Sequence, residues 1–109
     1  MSETNKYGLN ENAMDLIFRI FRAFPEIDEV ILFGSRADGS FKPYSDIDFA
    51  LKGEKIDFNL KETIWHLLQE GLYLPYNFDV LNYASITNEK LKNYIDSFGV
   101  VFYKNEQKL

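Results

Sequence analysis

The fold is decided by two short segments, LFGSRADG at residues 32–39 and YSDIDFAL at residues 44–51. The first completes an apolar, β-branched run over residues 29–33, which predicts a buried strand that ends at a glycine turn. The second alternates apolar and polar residues, a pattern that predicts another strand over residues 46–51. The link at 34–45 is long and irregular, and such loops within compact domains are usually functional.

Apolar stripes at three- and four-residue spacing predict three helices, and two further apolar runs predict strands. The predicted helices cover residues 12–24, 58–70 and 87–97, and the additional predicted strands cover residues 77–82 and 100–103. Asn10 or Asn12 is expected to cap the first helix, and Thr87 or Ser85 the last. The polar tail from Lys104 is expected to fray.

The length of 109 residues suits one domain, which we expect to span residues 1–109 with its core at about residues 12–103. A hydrophobic content of 46% and a charged content of 27% are ordinary for a globular protein. Aromatic residues are abundant, at 17%. Because so short a chain buries only about 60–70% of its unfolded surface, most of these rings are predicted to fill the core. Coverage of a partner surface is the alternative for some of them.

Charge and cysteine content narrow the possible functions. The absence of cysteine excludes disulfides and thiolate metal sites. No run of about 18 apolar residues exists, and the polar start carries no signal-peptide pattern, so we expect no membrane span and a cytoplasmic location. A net charge of −5 without a basic cluster disfavours binding to a long nucleic acid and favours a small nucleotide or a protein partner.

A pair of aspartates is the first candidate for chemistry. Asp46 and Asp48 alternate with Ile47 and Phe49, so both carboxylates are predicted to share one strand face. Their Cα atoms are then ~6.6 Å apart. At that spacing they can share two divalent ions ~3.5–4 Å apart, as in enzymes that catalyse in-line displacement at phosphorus. A solvated edge strand is the alternative, but neighbouring carboxylates repel each other and a metal removes that cost.

Asp79 is the second candidate, in the predicted strand 77–82. Phe78 and Val80 point to one face of this strand and Asp79 to the other. If the strand lies beside the one that carries the paired aspartates, three carboxylates meet at one place, and Mg²⁺ is commonly held by one or two of them. The third can accept a proton as a general base. An ordinary surface acid is the alternative reading of this residue.

The turn after the first strand is the third candidate. Gly34 allows close approach of a ligand to the backbone, and a helical turn starting at Ser35 would direct free N–H groups and a positive dipole at a phosphate. The Ser35 hydroxyl and the Arg36 guanidinium can add donors. Taken alone, the tripeptide is more often a plain turn.

Together these residues resemble a known signature. Gly34-Ser35, ten further residues and then Asp46-x-Asp48 looks like the motif of the DNA polymerase beta-type nucleotidyltransferase superfamily. The two segments quoted above resemble the minimal nucleotidyltransferase (MNT) domain more specifically. The resemblance covers essentially the whole chain.

The resemblance implies an α/β nucleotidyltransferase fold, in which about three helices pack on one side of a small mixed sheet and the catalytic carboxylates lie on its open face. It implies that Asp46, Asp48 and Asp79 hold two Mg²⁺ ions. It also implies that Gly34 and Ser35 hold the triphosphate of ATP or another nucleoside triphosphate.

Two residues close to the Gly-Ser turn, Arg36 and Asp38, affect the expected binding of the triphosphate. Arg36 matches the basic position that follows the Gly-Ser turn in the family, which implies a nucleotide-binding role. Asp38 departs from the pattern, because many relatives have a basic residue there. Lys42 is the candidate substitute for the missing charge.

The resemblance also implies a partner. Minimal nucleotidyltransferases are typically paired with a small helical HEPN-domain protein, and in such toxin–antitoxin pairs they transfer AMP from ATP to a tyrosine of the toxin. We therefore expect an adenylyltransferase antitoxin, with a homodimer or a heterotetramer as possible assemblies. A non-catalytic subunit that binds nucleotide and masks its partner is one alternative. A small-molecule nucleotidyltransferase is another, although we expect no separate acceptor domain in the chain.

Overall fold

The computed structural model describes residues 3–108. In this range the chain forms, in order, α1 (Glu11–Arg22), β1 (Glu29–Phe33), the short α2 (Ser35–Asp38), β2 (Ile47–Lys52), α3 (Phe58–His66), β3 (Phe78–Asn82), α4 (Glu89–Phe98) and β4 (Val100–Lys104). A π-helical turn extends α3 over Leu67–Gly71. Within the same range, none of the helices has the length and hydropathy that a bilayer crossing requires.

The strands form one mixed sheet in the order β3-β2-β1-β4. β1 runs antiparallel to both β2 and β4, whereas β2 and β3 run parallel. The C-terminal end of β1 therefore lies beside the starts of β2, β3 and β4, at one end of the sheet. The mixed sheet expected from the sequence is confirmed, and so is the adjacency of the two aspartate-bearing strands.

One face of the sheet carries the main core. α1 and α3 pack there over a set of buried apolar side chains, with Phe21, Phe49 and Phe102 near its centre. The Phe49 ring lies 5.2 Å from that of Phe21 and 4.9 Å from that of Phe102, measured between centroids. Core packing is thus the main role of the aromatic residues, because each such ring removes a large apolar area from water.

The opposite face is covered in part by α4, which differs from the expectation that all helices pack on one side. Ile95 of α4 is buried against Ile31, Phe33 and Ala50 of β1 and β2. Because alternate residues of these strands are apolar on this face as well, the sheet needs a second cover. The face left open is therefore only the portion beside α4.

Element boundaries follow the predictions with local corrections. Asn10 caps α1, as expected. Asn88, and not Thr87 or Ser85, caps α4, since its side chain accepts the N–H of Leu91.

The expected fraying from Lys104 is wrong. Lys104 ends β4, and the next residue is tied to the loop before β1. Asn105 donates its backbone N–H to the Asp28 carbonyl at 2.8 Å and its side-chain amide to the Ile27 carbonyl at 3.3 Å. These bonds hold the chain beyond the last strand.

Candidate active site

Three carboxylates lie close together at the end of the sheet where β2 and β3 begin. Asp48 and Asp79 are direct neighbours in the register of the two parallel strands. Asp46 lies one residue before β2, and its charge contributes to the raised pKa of Asp48, so the two carboxylates lie near each other. The N–H of Ile47 donates to the carbonyl of Asn77 at 2.9 Å, which joins the strands at this point. The structure thus brings together the three aspartates that the sequence singled out.

Gly34 borders this cluster from the end of β1. Phe33, the last residue of β1, is paired with Asp48 across the antiparallel ladder. Gly34 follows with φ +80° and ψ −157°, a region that is essentially restricted to glycine. A Cβ at this position would overlap the Oδ2 atom of Asp48. The missing side chain therefore leaves room for the carboxylate.

Ser35 begins the short α2 directly beside the carboxylates. The carbonyl of Gly34 accepts the N–H groups of Ala37 at 3.1 Å and Asp38 at 3.2 Å, which closes the turn. The N–H groups of Ser35 and Arg36 come before any intrahelical acceptor, as at the start of every helix. Ser35 is half-buried. This arrangement suits an anion, and the binding of phosphate by Gly34 and Ser35 stays a prediction.

The structure gives Arg36 a different role from the predicted nucleotide binding. Its side chain is only 1% exposed. Nε donates to the carbonyl of Ser45 at 3.1 Å and Nη2 to that of Pro43 at 3.2 Å. Nη1 donates to the carbonyl of Tyr7 at 2.9 Å, with Gly8 further away at 3.5 Å. The guanidinium thus holds the loop before Asp46 against the N-terminal segment.

Two aromatic rings flank the same guanidinium. The Arg36 Cζ atom lies 5.1 Å from the ring centroid of Phe41 and 4.9 Å from that of Tyr76. Burial lowers the pKa of Arg36, while Tyr76 and Asp46 act in the opposite direction. Because its donors are directed at backbone carbonyls in a closed site, a phosphate ligand role does not fit this position.

Asp48 is the electrostatic centre of the cluster. Partial burial raises its pKa to about 6, with further contributions from Asp79 and then Asp46. Both neighbours are exposed, whereas Asp48 is half-buried between strands. A carboxylate in such surroundings gains most from a bound cation, because the cation offsets both the lost hydration and the repulsion.

The donor set fits Mg²⁺. All three side chains offer carboxylate oxygens, the ligands that this hard cation prefers. Within residues 3–108, no three acidic or histidine side chains form a preassembled metal cluster. Mg²⁺ usually keeps water and substrate phosphates among its ligands and uses only one or two protein carboxylates, so the fit to Mg²⁺ rests on the chemistry of these oxygen donors and not on a closed cluster.

Two residues that sequence analysis did not assign to the site support β3. Gln69, in the π-helical turn, accepts the N–H of Phe78 at 2.7 Å and donates to the carbonyl of Tyr76 at 3.2 Å. Trp65 donates Nε1–H to the carbonyl of Phe78 at 2.8 Å. These side chains therefore satisfy the backbone N–H and carbonyl of Phe78, the residue before Asp79, on the side of β3 that has no neighbouring strand. A π turn often marks a functional position, but no sequence pattern announces one.

Three further polar residues, Asp38, Lys42 and His66, lie on the surface. Asp38 is exposed and accepts from the Ser40 hydroxyl at 2.6 Å, and this hydrogen bond, with one from the Ser40 N–H, lowers its pKa. Lys42 is exposed on the loop that Arg36 holds. His66 pairs with Glu70 on the surface, with 2.8 Å between Nδ1 and Oε1.

Comparisons with known proteins identify related sequences and folds. A family model described as "Polymerase beta, Nucleotidyltransferase" matches residues 16–108. A curated relative from Haemophilus influenzae, named "Probable protein adenylyltransferase MntA", is 34% identical over 76 residues. That match covers 69% of this chain and 65% of the relative, so the chain spans just under two thirds of the relative's length.

Solved structures share the fold at lower identity. A toxin–antitoxin complex with AMP-PNP contains a chain that superposes with a TM-score of 0.70 at 22% identity, over 87% of this chain and 76% of that one. A tri-AMPylated Shewanella oneidensis HEPN toxin in complex with an MNT antitoxin gives a TM-score of 0.64 at 19% identity, over 88% and 73%. At these identities the likeness concerns the fold.

Proposed function

Because the chain belongs to the polymerase beta nucleotidyltransferase family, we propose that it transfers AMP from ATP to a tyrosine of a HEPN-domain toxin and thereby acts as an antitoxin. The observation that carries the proposal is the pairing of Asp48 with Asp79 beside the turn at Gly34. Binding of nucleotide alone does not require three acidic side chains on one sheet face, whereas metal-dependent transfer uses them.

The relatives support this choice of acceptor. The Haemophilus influenzae relative is named as a protein adenylyltransferase. The Shewanella oneidensis complex joins an MNT antitoxin to a HEPN toxin that carries three AMP groups. A protein acceptor also agrees with the net charge of −5, which disfavours binding to a long nucleic acid.

The proposed reaction is an in-line displacement at the α-phosphorus of ATP. The tyrosine oxygen forms the new bond to phosphorus, the bond to the β-phosphate oxygen breaks, and pyrophosphate leaves. We assign Asp79, which is exposed, as the general base that accepts the phenolic proton. Asp46, just before the adjacent strand, and Asp48, within it, would hold the cations that help to orient the reacting phosphate.

Asp46, Asp48 and Asp79 are the residues that would hold two Mg²⁺ ions. When bound, the metal supplies charge neutralisation at the phosphates and polarises the phosphorus toward attack. The raised pKa of Asp48, about 6, supports this assignment, because a half-buried carboxylate beside two others is stabilised by a cation. At neutral pH Asp48 is largely ionised and available as a ligand.

The remaining phosphates are assigned to the turn after β1. The N–H groups at Ser35 and Arg36 and the Ser35 hydroxyl are free to donate to a β- or γ-phosphate. Since the Arg36 side chain is engaged with the loop, Lys42 is the exposed cation on the 34–45 segment that can reach toward a phosphate.

The test is intact mass spectrometry of the HEPN-domain protein from the same organism, co-expressed with the wild-type chain. We expect mass gains in whole AMP units with wild type and with Asp15→Ala, an exposed acid on α1 that serves as the matched control. Asp46→Ala/Asp48→Ala should abolish the gain and still fold, as judged by circular dichroism. Chelation of Mg²⁺ in a purified assay should do the same.

Two outcomes would contradict the proposal. If the HEPN protein co-purifies with the wild-type chain but its mass never changes, the chain masks its partner by contact alone. If Asp46→Ala/Asp48→Ala keeps a near-normal transfer rate at saturating Mg²⁺, these aspartates are not the metal ligands.

A further inference from the structure

An exposed apolar patch lies beside α4 and is not used by the core or by the proposed chemistry. Phe98 is 64% exposed, Val101 56% and Tyr94 36%. The rings of Tyr94 and Phe98 are tilted against each other with 5.6 Å between centroids. We call these three residues the α4–β4 patch. Val101 follows Phe98 by three residues, across the turn from α4 into β4. Clusters of exposed apolar residues are typical of protein interfaces.

The patch lies on the same sheet face as the carboxylates. Val101 is paired with Ile31, and Ile31 is buried under α4 on that face. Residues directly opposite each other in a ladder project to the same side, so Val101 faces the α4 side as well. Asp48 lies two residues before Ala50, which is buried in the same cluster, and therefore shares this face too.

The patch also lies at the same end of the sheet as the carboxylates. β4 is antiparallel to β1, with Val100 opposite Leu32, so β4 begins where β1 ends. Phe33 at that end of β1 is paired with Asp48. The last turn of α4, which carries Phe98, therefore ends beside the Gly34 turn and not at the far end of the strands.

Strand geometry gives the distance between the two features. Val101 lies two strands from Asp48, which is ~10 Å across the sheet, and two residues along it, which is ~7 Å. The backbone separation is then roughly 12 Å. A standard protein interface buries about 800 Å² on each partner, equivalent to a disc of roughly 16 Å radius. An interface of standard size centred near Asp48 would therefore also cover the patch.

We propose that the α4–β4 patch is the docking surface for the HEPN-domain protein that presents its tyrosine to the carboxylates. The inference rests on the proposed function for the identity of the occupant. The patch is uncharged at its centre, which matches the apolar face of a helical partner. Phe98 and Tyr94 are residue types that dominate interface energetics, and their position next to the site makes docking and catalysis one binding event.

The chain offers a matched control for this surface. Phe58, at the start of α3, is 66% exposed and therefore resembles Phe98 in type and exposure. It lies beyond the end of β2, at the opposite end of the sheet from Asp48. Phe58→Ser removes an equivalent aromatic ring outside the patch. Phe98→Ser/Val101→Thr removes the apolar centre of the patch without altering buried core residues.

The experiment measures binding and transfer separately with the HEPN-domain protein of the same organism, purified without the chain. We expect the Kd of the complex, from calorimetry, to rise at least about tenfold for Phe98→Ser/Val101→Thr and to stay within about twofold for Phe58→Ser. AMP transfer at subsaturating acceptor should fall in proportion. ATP binding by the free chain in the presence of Mg²⁺ should be unchanged in both variants.

Thermal unfolding shows whether the double variant folds, and Phe98→Lys alone serves as a second variant if it does not. Equal affinity of the patch variants and wild type for the HEPN protein overturns the proposal. So does a failure of the wild-type chain to bind that protein. If sedimentation shows a wild-type homodimer that the patch variants dissociate without loss of HEPN affinity, a second copy of the chain occupies the patch and the proposal is wrong.

Failure of the proposed function gives a different result. If wild type binds the HEPN protein and the patch variants weaken that binding, but no AMP is ever transferred, the docking surface stands and the catalytic proposal fails.

Discussion

Gly34 and Asp48 lie in contact across the end of the β1–β2 ladder, and the carboxylate occupies the space that a side chain on Gly34 would fill. The glycine also has φ +80° and ψ −157°, which few other residues tolerate. One close approach thus joins the candidate phosphate turn to the candidate metal ligand. The Gly34-Ser35 turn and the Asp46-x-Asp48 motif are therefore coupled through a single steric contact.

Gly34→Ala should disrupt both the turn and the carboxylate. The backbone conformation alone costs about 1–3 kcal/mol for a residue with a Cβ, and Asp48 must also move. We expect a comparable loss in the free energy of unfolding, measured in urea, and loss of AMP transfer to the HEPN-domain acceptor.

Gly39→Ala is the control for that substitution. Gly39 also has a positive φ, +87°, but nothing lies within 4 Å of a Cβ built there. It should cost about 1–2 kcal/mol in stability through its left-handed backbone and leave transfer intact. Normal transfer by Gly34→Ala would show that the contact with Asp48 has no catalytic importance.

Asp48→Asn should stabilise the metal-free protein at neutral pH. Partial burial, Asp79 and Asp46 raise the pKa of Asp48 from 3.8 to about 6, so the folded state holds this proton more tightly than the unfolded state. Stability linked to Asp48 is therefore fully present below about pH 4 and is lost as the pH rises through about 6. The amide removes that loss.

Urea unfolding between pH 4 and pH 8, in the presence of a chelator, measures this difference. We expect a gain of about 1 kcal/mol above pH 7 for Asp48→Asn, after allowance for solvent screening, and none near pH 4. Asp15→Asn on the surface of α1 should follow the wild-type profile. A gain that is equally large at pH 4 would mean that the effect does not come from the ionisation of Asp48.

Arg36→Lys should destabilise the protein even without nucleotide. An ammonium cannot replace the planar fork that reaches the carbonyls of Ser45, Pro43 and Tyr7, so at least two of these hydrogen bonds are lost. We expect a loss of about 1–3 kcal/mol in the free energy of unfolding and faster hydrogen exchange over residues 41–45.

Arg22→Lys, at an exposed arginine near the end of α1, is the matched control and should change neither quantity. The opposite pattern, normal stability and exchange with a weakened affinity for ATP, would return Arg36 to the phosphate-binding role that its position in the sequence first indicated.

The sequence predicted the parts of the site that depend on local rules. β1 matches its predicted bounds, residues 29–33, because an apolar run that ends at glycine carries both the strand signal and its stop. Strand alternation predicted that Asp46 and Asp48 share one face; β2 begins at Ile47, but Asp46 still lies close enough to help raise the pKa of Asp48. Asp79 required one further assumption, the adjacency of β2 and β3, and the register confirms it.

The sequence did not predict features that depend on distant contacts. Arg36 is held by the carbonyls of Tyr7 and Gly8, which are 29 and 28 positions away, and nothing near the Gly-Ser turn indicates this. The packing of α4 on the carboxylate face was also missed. A helical stripe shows that a helix is amphipathic, but it does not show which side of a sheet the helix covers.

Gln69→Leu should loosen β3 next to Asp79. The Gln69 amide bonds the outward-facing N–H of Phe78 and the carbonyl of Tyr76, as a neighbouring strand would, and leucine can do neither. Losing both bonds corresponds to about 1–2 kcal/mol of local stability, so the Phe78 amide should exchange with solvent about five- to thirtyfold faster. Because Asp79 follows directly, we expect a lower rate of AMP transfer with little change in ATP affinity.

Gln107→Leu, at an exposed position near the C-terminus, is the control and should affect neither the exchange of the Phe78 amide nor the rate of AMP transfer. Unchanged protection of the Phe78 amide would mean that β3 keeps its position without Gln69, and Trp65, whose Nε1–H bonds the carbonyl of the same residue, would then be the side chain that fixes the strand.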